Sequence, residues 1–120
     1  MKGLRVMLVG AAIIGLAACS SGGKDYGSGA ELAKAAGCSG YVKDSEPPMF
    51  TQESGKCTID GKDVYVAMYA DKAARDNALK LAKAAGASGY FGHGDKWDLQ
   101  SDDKAAVEKG VKAAGGSMTS

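Results

Sequence analysis

The chain has 120 residues, 15 basic and 14 acidic side chains, a formal net charge of +1 and 7% aromatic residues. So balanced a surface offers no electrostatic case for nucleic acid or for a polybasic membrane patch. The length suits one small domain, and a core this short of large apolar side chains calls for a staple.

The first residues read as a processing signal. Lys2 and Arg5 precede an uncharged apolar run from Val6 to Ala18, the order of a basic n-region and an h-region. The run is shorter than the roughly 20 residues a membrane-spanning helix needs. It ends in LAAC, Leu16 to Cys19, which looks like the lipobox of bacterial lipoproteins. In that motif the cysteine thiol receives a diacylglyceryl group and becomes the first residue of the mature chain. An ordinary signal peptide that contains a cysteine is the competing reading. Two acyl chains attach a protein stably to a bilayer, where one does so only marginally. Loss of residues 1–18 removes Lys2 and Arg5 and leaves the mature chain near −1. The expected organisation is signal peptide 1–18, lipidated flexible tether 19–27, α+β domain 28–116 and frayed tail 117–120. The expected address is the extracytoplasmic face of the cell membrane, held by the lipid on Cys19.

Ser28 and Glu31 fit a capping box at the start of a short helix, ELAKAA, which Gly37 ends in a left-handed cap. Tyr41 and Val42 open a strand. Residues 44–55 read as irregular, because Pro47 and Pro48 exclude a central strand; Met49 and Phe50 are expected to tuck into the core. KCTIDGKDVYVAMY is a hairpin turned at Asp60-Gly61. Alternation places Cys57, Ile59, Val64, Val66 and Met68 on a core face and Tyr65, Ala67 and Tyr69 on the other.

Asp71 caps the main helix, DKAARDNALKLAKAA, in which Ala74, Ala78, Leu81 and Ala85 form a narrow stripe suited to close packing on a sheet. Asp71–Arg75 and Asp76–Lys80 have the spacing of i,i+4 pairs. Gly86 stops this helix; SGYF starts a strand, GHGD turns, and KWDLQ resumes with Trp97 and Leu99 inward. Ser101 and Asp102 offer caps for a last helix whose Val107, Val111 and Ala114 face the core.

LAKAAGCSGY at 32–41 and LAKAAGASGY at 81–90 differ only in Cys38 against Ala87. Their flanks are unlike, so a shared helix-stop grammar accounts for them better than recent duplication. With Cys19 assigned to lipid, Cys38 and Cys57 remain. An oxidising compartment favours a bridge between them over free buried thiols or a two-cysteine metal site. The staple suits a first helix half as long as the second, which is expected to hold by buried surface alone.

No cofactor or metal site is expected. His93, the single histidine, sits between glycines as a mobile turn residue with no second ligand. Nucleophile-elbow and phosphate-loop spacings do not occur. Tyr65 and Tyr69, together with Pro47 and Pro48, form the candidate interaction surface. Cys38, GKCTIDG, DVYVAMY, DKAARDNAL and Gly94-Asp95-Lys96-Trp97 together resemble a group of small actinobacterial secreted lipoproteins with one disulfide, over most of residues 37–100. The group carries no assigned biochemical activity, so the likeness implies a fold and an address.

The expectation is therefore an α+β domain: an antiparallel sheet of four to five strands, helices on one face and one disulfide. Its expected role is that of a monomeric, non-enzymatic binding module for an envelope protein or ligand. A small envelope enzyme or enzyme inhibitor, and a structural spacer, are the alternatives. A spacer would show no concave aromatic surface, and an enzyme would cluster polar residues around a cleft.

Overall fold

The computed structural model describes residues 25–48 and 50–119. The leader 1–18 and Cys19 lie outside them. In chain order the elements are α1 (Gly29–Ala35), β1 (Ser39–Lys43), β2 (Thr51–Ile59), β3 (Lys62–Tyr69), α2 (Lys72–Ala84), β4 (Tyr90–His93), β5 (Trp97–Ser101), α3 (Lys104–Ala114) and β6 (Ser117–Met118). The strands form one antiparallel sheet in the order β1-β2-β3-β5-β4-β6. The α+β class and the single bridge are as expected, with six strands among the described residues. No helix among these residues is long and apolar enough to cross a membrane.

The β2–β3 hairpin turns at Asp60 and Gly61, with φ of 51° and 78°, the two positive values of a type I′ turn. Alternation sends Cys57, Ile59, Val64, Val66 and Met68 to one face, where all are buried, and β5 adds Trp97 and Leu99. Helices α1 and α3 cover this face through Leu32, Ala33, Val107, Val111 and Ala114. Close approach of α3 depends on Gly110, where a Cβ would stand 2.8 Å from Ile59 Cδ1.

Both ends of the short α1 are tied down. At its start Ser28 Oγ accepts from Glu31 N, while Glu31 reaches back to Gly27 N, one residue earlier than the simple capping box. Glu53 Oε2, from β2, accepts from Gly29 N at 3.1 Å and from Tyr41 Oη at 2.7 Å. At the other end the Cys38–Cys57 disulfide joins the helix stop to β2, with a Cα–Cα distance of 5.5 Å.

Two domain boundaries need correction. Tyr26, assigned to the tether, packs edge-on against Trp97 at 6.2 Å and donates from Oη to Ala114 O at 2.7 Å. The folded domain thus includes residues before Ser28. At the far end the tail is not frayed: Ser117 and Met118 pair with His93 and Gly92, and Thr119 N donates to Phe91 O. Without this segment the outer edge of β4 would present unpaired backbone groups, which readily recruit a strand.

Helix α2 lies on the opposite face from α1 and α3, so the helices are not all on one side. Its alanine stripe does not seat closely. Ala74 and Ala78 are half-buried, Ala85 is exposed, and Leu81 is 53% exposed. Alanines remove too little apolar area from water to pull a helix tight. The buried residue of α2 is Arg75, whose guanidinium donates to the carbonyls of Gly94 and Asp95 and pairs with Asp76 at 2.7 Å. Asp71 does not pair with it: its Oδ1 is the helix cap, accepting from Ala74 N at 2.8 Å.

Candidate functional site

Because α2 is held at its N-terminal half by Arg75 and seats loosely beyond it, a cleft of about 460 Å³ opens between its Ala78–Ala82 stretch and the sheet. That volume falls in the usual range for small-ligand sites, about 300–1,000 Å³. The floor is the sheet face opposite the core. It carries Tyr65, Ala67 and Tyr69 from β3, Asp98 and Gln100 from β5, and Phe91 from β4. The loop before β2 closes one end with Pro48 and Phe50.

Of the expected interaction surface, Pro48, Tyr65 and Tyr69 come together here, whereas Pro47 is exposed and outside the lining. The two tyrosines do different work. Tyr65 is 50% exposed and presents its ring to solvent and cleft alike. Tyr69 is only 6% exposed; it donates from Oη to Asp98 Oδ2 at 2.6 Å. It is therefore part of the cleft floor and not of an open aromatic patch. Phe50 does not enter the core either. A turn in which Thr51 N and Oγ1 both donate to Pro48 O holds Phe50 at φ 73°, and its ring lines the cleft. Met49 lies outside the described residues.

Asp98 is the site residue that sequence reading missed. It is 5% exposed, and its apolar surroundings push its carboxyl up to about 6, against the opposing pull of the Tyr69 hydrogen bond and the Arg75 charge. The Tyr69 hydroxyl is driven far above its ordinary range by burial and by the Asp98 carboxylate. The signal was present in KWDLQ. Alternation that turns Trp97 and Leu99 inward puts Asp98 and Gln100 on the face of Tyr65 and Tyr69. Only the position of α2 makes that face an interior.

His93 is not a mobile turn residue. It ends β4, stands opposite Asp98 in the β4–β5 ladder, and holds Thr119 Oγ1 at 2.7 Å through Nδ1. Burial, and then the Arg75 charge, depress its pKa. Among the described residues no group of three or more His, Cys, Asp or Glu side chains could hold a metal ion.

No protein-family model, curated protein or solved structure matches the chain. What the cleft can do must come from its own chemistry. It combines aromatic rings, small apolar side chains and one buried carboxylate, which together suit the retention of a small molecule.

Proposed function

We propose that the chain is a lipid-anchored extracytoplasmic binding protein whose ligand occupies the cleft between α2 and the sheet. The observation that carries this reading is the aromatic, largely apolar cleft of about 460 Å³, since a mere spacer needs no such concavity. The basic and apolar leader followed by LAAC supports anchoring through Cys19. A neutral dye such as Nile red should bind the purified chain with a blue shift. Ala78→Trp, which places bulk in the cleft from a half-buried helix position, should abolish that signal. Dye binding that survives Ala78→Trp unchanged would rule the cleft out. For the anchor, Cys19→Ser should leave the chain unprocessed or move it from the detergent phase to the aqueous phase. Partitioning like the parent would sink that part of the proposal.

A small envelope enzyme is the second reading, and Asp98 favours it, because a carboxylate of raised pKa in a cleft is a common acid–base group. The two readings separate on Asp98→Asn. An enzyme loses turnover of any substrate while still binding it, whereas a binding protein loses or retains affinity alone.

A further inference from the structure

We infer that the cleft selects a monovalent organic cation, an ammonium group carried on a small apolar body. This rests on the reading of the cleft as a ligand site and adds the class of ligand. Three observations converge. First, both phenylalanines of the chain and two of its five tyrosines line this one cleft: Phe50, Phe91, Tyr65 and Tyr69. Ring faces carry negative potential, and several rings around one volume are the recurrent means of holding ammonium groups.

Second, the charged side chains in the lining are Asp44 and Asp98, both acidic. An anionic ligand would meet two carboxylates and no basic side chain among the described lining residues. Third, Asp98 is nearly fully buried in the floor and oriented by Tyr69 Oη at 2.6 Å. A buried carboxylate favours an opposite charge more strongly than an exposed one, because little water screens it. Arg75 also acts on Asp98, but it lies outside the lining. Its guanidinium is engaged by the carbonyls of Gly94 and Asp95 and by Asp76.

Acid should weaken the binding. The groups facing Asp98 are Tyr69 from β3, Arg75 with its neighbour Asp76 from α2, and His93 across the ladder from β4. As pH falls through about 6, Asp98 loses its negative charge, which removes the attraction for a bound cation.

Calorimetric titration of the purified chain at neutral pH tests this with three probes of one shape: phenylbutylammonium, phenylbutanol and phenylbutyrate. The ammonium should bind roughly tenfold or more tighter than the alcohol, with the carboxylate weakest. Asp98→Asn should erase the preference for the ammonium, its thermal melt showing that it folds. Should that variant fail to fold, Tyr65→Ala decides, since loss of this half-exposed ring should weaken the ammonium more than the alcohol. Equal affinities of the parent for ammonium and alcohol would overturn the charge selection and leave the cleft as a neutral binding site. Failure of all three probes and of the neutral dye would remove the binding reading itself.

Discussion

Segments 32–41 and 81–90 share nine of ten residues, and their backbones follow the same path. Gly37 and Gly86 take φ of 73° and 78°, and Gly40 and Gly89 take 70° and 99°. Cys38 N donates to Ala33 O at 2.8 Å, and Ala87 N donates to Ala82 O at 2.9 Å. Their surroundings are opposite. Leu32 is 0% exposed and Leu81 is 53% exposed; Ala36 is buried and Ala85 is open. Tyr41 bonds to Glu53, whereas Tyr90 is exposed. Identical local chemistry thus builds a helix stop twice, once inside the core and once at the loose end of α2. The first copy anchors a wall of the core. The second leaves the gap that becomes the cleft. The disulfide was expected to compensate a short helix beside a longer, self-sufficient one, but the longer helix is the less buried of the two.

The largest test of this contrast is truncation of the paired leucines. Leu32→Ala should destabilise the chain by about 2–5 kcal/mol in denaturant unfolding, as expected for a buried leucine. Comparable losses at Leu81→Ala would mean that α2 is seated as firmly as α1. Removing the bridge with Cys38→Ala and Cys57→Ala together should cost roughly 3 kcal/mol for a loop of this length. Hydrogen exchange should then quicken in α1 before it does in α3, and uniform acceleration would deny the bridge its local role.

Asp98 extends the contrast to the two faces of the sheet. Its carboxyl titrates higher in the folded chain, at about 6, than its ordinary 3.8. Between those values the folded state binds more protons than the unfolded state, so its contribution to stability falls as pH rises through the window. The effect is on the order of 2–3 kcal/mol at most. Asp98→Asn should flatten that pH dependence in thermal melts; an unchanged profile would place the titration elsewhere.

Gly37→Ala and Gly86→Ala both force a Cβ into the left-handed region, at about 1–2 kcal/mol each. The Gly37 variant should lower global stability, while the Gly86 variant should appear mainly as faster exchange at the end of α2. Smallest of all, Leu81→Ala should change stability by less than about 0.5 kcal/mol, yet weaken the neutral dye, since Leu81 lines the cleft.

Much of the fold was legible in the sequence because its signals are local. Asp60-Gly61 demands its turn whatever surrounds it, and Gly37 and Gly86 stop their helices for the same steric reason. The alternation of Cys57, Ile59, Val64 and Val66 marked a buried face, and the two cysteines left after Cys19 was assigned to lipid were expected to pair, as they do. What the sequence alone did not decide was which helix covers which face. Alternation separates Tyr65, Tyr69, Asp98 and Gln100 from the core set, but an uncovered face and one roofed by a loosely seated helix read alike. The roof depends on Arg75 finding the Gly94 and Asp95 carbonyls, contacts between residues that only the chain's return brings together. The same holds for Tyr26 against Trp97 and for Ser117–Met118 against β4. In each case a single side chain or strand edge finds its partner across a long sequence separation, and no periodicity in either segment announces the other. Asp98 became a site residue by that route: its identity and face were written in KWDLQ, but its burial belongs to α2.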